Sequence, residues 1–112
     1  YTPGLAEGLL PGITRDSVIR LARDRGFTVH DDATISRGEL GTADELFFCG
    51  TAAEVTPIRS VDGVMVGEGS RGPVTEAVQS RYFDVVQRRT TAYEEWFTPI
   101  SATDVTPAEV GV

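Results

Sequence analysis

Two segments with helical periodicity enclose a series of short, strand-like runs, and this ordering most narrows what the chain can fold into. In residues 15–25, Val18, Leu21 and Ala22 share one face, Asp16 opens the segment, Arg23 and Arg25 close it, and Gly26 stops it. In residues 74–88, Pro73 supplies a first-turn residue, and Val74, Ala77, Val78, Tyr82 and Val85 fall on one inward face. Between them, "FTVHDD" (residues 27–32) alternates as a strand does. "ISRGELGTA" (residues 35–43) reads as a short helix with Ser36 and Glu39 spaced as a capping box. "ELFFCG" (residues 45–50) is an apolar run of the kind found in buried strands, and "EVTPIRSVDGVMVGEG" (residues 54–69) reads as two strands joined at Asp62-Gly63. Strands and helices mixed in this way predict an α/β, or mixed α+β, layer and exclude a helical bundle or a β-sandwich.

A chain of 112 residues has room for one domain with a moderate core, here residues 1–99, with a short packed piece around Trp96 and Phe97. Residues 100–112 read as an acidic, loose tail. The net charge is −7 and all ten basic residues are arginines; an acidic surface repels phosphate backbones and anionic lipids, so neither nucleic acid nor membrane is an expected partner. No window approaches the roughly 20 apolar residues of a membrane span, and "YTPGLAEG" lacks the segments of a signal peptide, so a cytoplasmic protein is expected. His30 is the one histidine and Cys49 the one cysteine, which leaves no basis for a disulfide or a metal site, and His30 reads as a surface residue.

Three motifs carry potential chemistry. "PGIT" leads into the first helix, whose unpaired N–H groups and partial positive charge make either a seat for an anion such as phosphate or an ordinary helix start with Thr14 as N-cap. "GEGSRG" sets Gly67, Gly69 and Gly72 in the spacing of a dinucleotide fingerprint, but "TTAYEEWF" is a poor second strand, so the reading is a glycine-rich turn into a helix. "FFCGTAAEVTP" ends a strand in Gly50-Thr51-Ala52, offering successive backbone N–H groups and one hydroxyl to an oxyanion. Cys49 beside it has no lysine or second histidine to activate its thiol and reads as a packing residue.

Taken together, "LPGITRDSVIRLA", "GTADELFFCGTAAEVTPIRSVDG" and "GEGSRGPVTEAVQSRYF", in this order and spacing, resemble the C-terminal part of the branched-chain amino acid aminotransferases, pyridoxal 5'-phosphate (PLP) enzymes of fold type IV. The resemblance covers about residues 1–93 and implies the C-terminal portion of that fold's large domain. It also implies that Leu10 lies near the pyridine ring, that the turn through Gly12 brings the Ile13 and Thr14 amides and the Thr14 hydroxyl onto the cofactor phosphate, and that Gly50 flanks the ring. Thr51 would share the phosphate, and the amides at Thr51 and Ala52 would receive the substrate carboxylate. Gly67, Gly69 and Gly72 would only shape the entry to the last helix.

The same resemblance exposes a departure. Transamination needs a lysine that bonds to the cofactor and moves the substrate's α-proton, and this chain has none. The family places that lysine, a carboxylate on the pyridine nitrogen and an arginine on the phosphate upstream, so no catalytic residue is expected here. The chain reads as the C-terminal piece of a longer enzyme, inactive alone, whose intact form is a homo-oligomer exchanging the amino group of leucine, isoleucine or valine with 2-oxoglutarate. A D-amino acid aminotransferase or an aminodeoxychorismate lyase of the same fold is the nearest alternative, and a non-catalytic anion-binding module the most distant.

Overall fold

The computed structural model describes residues 1–8 and 12–100, so Leu10 and residues 101–112 of the expected tail lie outside the described residues. Helix α1 spans Ile13–Asp24. It starts earlier than periodicity predicts because Gly12 takes the extended N-cap conformation (φ −76°, ψ 144°), which makes Thr14 the second helical residue and not the N-cap. Val18, Leu21 and Ala22 are buried as expected, and Thr14 is buried with them.

Helix α2 is the short Arg37–Leu40. Its capping box forms as the spacing predicts: Glu39 N–H donates to Ser36 Oγ (3.3 Å), and Ser36 N–H donates to the Glu39 carboxylate (2.8 Å).

Residues 27–32 do not form the expected strand. Phe27 and Val29 pack against the core, as alternation implies. Their backbone, however, meets no strand: it bonds α1 through Phe27 N–H to Ala22 O and the first residues of the chain through Thr2 N–H to His30 O, Ala33 N–H to Thr2 O and Gly4 N–H to Ala33 O, around a single parallel bridge between Pro3 and Ala33. Alternation records burial, whereas a strand also needs a partner running alongside it.

The stretch from residue 54 to 69 holds three strands where the sequence suggested two. Strand β1 (Phe47–Gly50) pairs antiparallel with β2 (Glu54–Pro57), with Phe47 opposite Pro57 and Gly50 opposite Glu54. Strand β3 (Ser60–Val61) pairs with β4 (Val64–Met65) in a separate two-stranded sheet. Asp62 and Gly63 do join a hairpin, both with positive φ (53° and 78°), as a two-residue turn of the I′ kind requires.

Helix α3 spans Pro73–Val86 with Pro73 in its first turn. Its inward stripe is Thr75, Val78, Tyr82 and Val85, at helical spacing. Val74, expected to face inward, is 40% exposed, while Thr75 is 1% exposed. Helices α1 and α3 pack on each other, α1 on β1 and α3 on β2. Val18, Ala22, Val55 and Val78 form the shared core, edged by Phe27, Val29, Phe47, Cys49 and Tyr82. Downstream, the expected packing around Trp96 and Phe97 is organised by Tyr93 instead. The Tyr93 ring stacks on Trp96 at 4.4 Å, lies 5.7 Å from the guanidinium carbons of Arg20 and Arg81, and its hydroxyl donates to Asp24 on α1.

Glu54, just after the β1–β2 turn, has φ 56°, a left-handed conformation that suits glycine. Glu54→Gly is therefore expected to stabilise the fold by about 0.5 kcal/mol, the left-handed penalty of roughly 1–2 kcal/mol less glycine's own entropic cost of roughly 0.5–1 kcal/mol. Urea unfolding should show a higher midpoint at an unchanged slope, and a lower midpoint would contradict the assignment.

Candidate functional site

The start of α1 presents donors with no intrahelical partner. Gly12 provides no side-chain cap, and the first helical bond runs from Asp16 N–H to Gly12 O (3.2 Å). The amides of Ile13, Thr14 and Arg15 therefore sit unpaired within the helix at the positive end of its dipole. Strand β1 ends at Gly50, and Thr51, Ala52 and Ala53 form the turn that leads to Glu54.

These two backbone elements open on one cleft of about 1110 Å³, whose lining includes Gly12, Thr14, Gly50 and Thr51. Four of the expected site residues are thus brought together from positions nearly forty residues apart. Ile13 and Ala52 do not line it; Ile13 is 83% exposed and Ala52 is exposed on the turn, each next in sequence to a residue that does, so the structure does not bring these two expected site residues into the cleft. A Cβ built at Gly50 would meet no atom within 4 Å, and the same is true at Gly12. Packing does not demand glycine at either position; its absence of a side chain leaves the backbone bare.

Arg15, which local sequence reasoning treats only as a helix residue, contributes to the same wall. Its Nη2 donates to Pro3 O (3.0 Å) and Asp31 O (2.7 Å), and its buried Nε has no partner among the described residues. The bonded carbonyls lie 12 and 16 residues away, outside the reach of any local pattern. Glu45 also lines the cleft, but both of its oxygens accept backbone N–H groups from α3. With Glu45 so engaged, the part of the lining formed by Gly12, Thr14, Arg15, Gly50 and Thr51 combines the open start of α1, two threonine hydroxyls and a guanidinium, residue types whose chemistry fits a phosphate.

Neither lone nucleophile looks prepared for chemistry. Burial pushes the Cys49 thiol up, and the opposing pull of Arg15's charge is the smaller effect. His30 is exposed and stacks on Tyr1, with ring centroids 4.7 Å apart. The glycines of "GEGSRG" behave as a turn: Gly67 and Gly69 have positive φ, and Gly72 is the N-cap of α3.

Residues 1–61 match the amino-transferase class IV family. A branched-chain-amino-acid aminotransferase of Pseudomonas aeruginosa is 52% identical over 98 residues, covering 88% of this chain and 31% of that protein. The crystal structure of the Escherichia coli branched-chain amino acid aminotransferase matches with a TM-score of 0.79 at 47% identity, over 85% of this chain and 32% of that one. The branched-chain aminotransferase of Thermobaculum terrenum in its PLP-form matches with a TM-score of 0.83 at 42% identity, over 89% of this chain and 33% of that one. The chain spans about a third of the length of the curated relatives it matches. Its mixed helices and strands are those of the corresponding region of fold type IV aminotransferases. With the family match extending over more than half of the residues and the fold shared at such identity, the chain belongs to the class IV aminotransferases.

Proposed function

We propose that these residues form the phosphate- and carboxylate-binding part of a PLP-dependent branched-chain aminotransferase, exchanging the amino group of leucine, isoleucine or valine with 2-oxoglutarate. The observation that carries this reading is the opening of two donor-rich backbone elements, the start of α1 and the turn after β1, on one cleft with a bare glycine at each. The names of the relatives favour branched-chain substrates over the other chemistries of the fold. A homo-oligomer in the cytoplasm belongs to the same reading.

In this assignment the Ile13 and Thr14 amides hold the phosphate together with the hydroxyls of Thr14 and Thr51. Leu10 and Gly50 flank the pyridine ring, and the amides at Thr51 and Ala52 orient the substrate carboxylate. Bound there, PLP supplies the electron sink and amino carrier of transamination. The residues of this chain bind and orient. They offer no amine to move the α-proton, since the sequence has no lysine, and that step falls to a residue of the enzyme beyond these 112.

Ala52 gives the test. A valine at position 52 crowds the turn where both substrates present a carboxylate. In a full-length enzyme carrying this sequence, Ala52→Val is expected to raise KM for leucine and for 2-oxoglutarate together by about fivefold, equivalent to about 1 kcal/mol. Cys49→Ala serves as the comparison and should leave both constants unchanged. Steady-state kinetics that show Ala52→Val behaving as the parent, while Cys49→Ala loses activity at an unchanged melting temperature, would contradict the assignment.

A further inference from the structure

The N-terminus of α3 already holds an anion, supplied by the protein itself. Thr75 N–H donates to Glu45 Oε1 (2.8 Å) and Val74 N–H donates to Glu45 Oε2 (3.1 Å), across about thirty residues of sequence. Gly72 makes room for this contact: a Cβ there would lie 2.2 Å from the Glu45 carboxyl carbon. Burial raises the pKa of Glu45, but hydrogen bonds from Thr75 and Val74 outweigh it, and the net shift is downward. The carboxylate is therefore ionised, and a full-strength acceptor, at neutral pH.

One turn further along α3, Gln79 Nε2 donates to Val55 O (2.8 Å). Arg71 Nη1 donates to Gln79 Oε1 (2.6 Å), which fixes the amide with its nitrogen toward the strand, and Arg71 is itself paired with Glu76 at 3.3 Å. Glu45 precedes β1, and Val55 lies in β2. The same helix thus grips the hairpin on both sides of the turn that carries Thr51 and Ala52. The grip matters because a two-stranded hairpin with four residues per strand has little rigidity of its own.

We propose that Glu45 and Gln79 are positioning residues that set the place of the Gly50-Thr51-Ala52 turn by tying both strands of its hairpin to the first half of α3. This rests on the reading of that turn as a ligand-binding element. It also explains the division of labour between the two long helices: α3 has its N-terminus filled by Glu45, and α1 keeps its own open to the cleft.

The test uses Glu45→Gln, which exchanges one accepting oxygen for a donor facing an amide, and Gln79→Met, which removes the donor at similar size. In the full-length enzyme each is expected to raise KM for both substrates about tenfold with kcat within about twofold, because a small displacement of a binding element is costly. In the cofactor-free protein, amide hydrogen exchange in the β1–β2 ladder that frames the turn, Phe47–Gly50 and Glu54–Pro57, should accelerate by about tenfold in each variant. Lower melting temperatures with unchanged KM and unchanged exchange in the β1–β2 ladder would overturn the proposal and leave the pair a merely structural role. If Glu45→Gln does not fold, Gln79→Met decides by the same two readouts. Should Ala52→Val prove silent, the reading of the turn fails, and exchange in the cofactor-free protein still judges the clamp by itself.

Discussion

Valine at Gly50 is expected to strip the enzyme of cofactor affinity while leaving its fold intact. The last residue of β1 is an ordinary strand position, without positive φ, where a β-branched residue has good propensity. A Cβ there meets no atom within 4 Å, so the protein alone has no reason to reject a side chain. The proposed ligand would have one, because Gly50 would flank its ring. Forcing two methyl groups into that contact costs about 1–3 kcal/mol, or about five- to a hundredfold in PLP affinity. Cofactor titration followed by absorbance measures the loss, and the melting temperature of the cofactor-free protein should match the parent. A stable Gly50→Val enzyme that binds PLP normally would remove Gly50 from the site.

The second large effect concerns Thr14 and Thr51, which line the cleft from separate elements. Thr14 is only 7% exposed, so Thr14→Val keeps the shape of the helix start and removes little more than the donor. Thr51 sits on an exposed turn, and Thr51→Val likewise deletes one donor. A hydrogen bond to a phosphate contributes about 1.5–3 kcal/mol, so each change should weaken PLP binding by about ten- to a hundredfold. The two together should lose more than either alone. Backbone amides at the start of α1 remain in both variants, so binding weakens without vanishing. Isothermal titration of the three variants measures this, and unchanged affinity in all of them would show that the phosphate lies elsewhere.

How far the sequence anticipates this structure depends on how far apart the interacting groups are in the chain. Ser36 and Glu39 are three residues apart and their capping box is legible directly; the Asp62-Gly63 turn and the apolar faces of α1 and α3 are legible for the same reason. Residues 27–32 mislead because alternation reports that Phe27 and Val29 are buried and cannot report that the neighbouring backbone is the first few residues of the chain. Thr75 and not Val74 turns inward at the start of α3, where the carboxylate that holds both amides, Glu45, comes from about thirty residues away, outside any local pattern. Arg15 is similar, since its bonds to Pro3 O and Asp31 O depend on how three segments converge. Within the site, the donor chemistry of Thr14, Gly50 and Thr51 could be inferred from residue type and from resemblance. Their convergence on one cleft is implied by the resemblance alone; no local pattern carries it, because it requires α1 to pack on β1.

The central claim, that the start of α1 and the turn after β1 hold a cofactor's phosphate, is tested most directly by comparing two ligands that differ only in that group. In the full-length enzyme, the ratio of PLP affinity to pyridoxal affinity isolates the contribution of the phosphate. In the Thr14→Val/Thr51→Val double variant the account predicts that this ratio falls by about a hundredfold or more, from two lost charge-assisted hydrogen bonds, while pyridoxal binding itself is little changed. A ratio equal to that of the parent would contradict the account, whatever happened to PLP affinity alone.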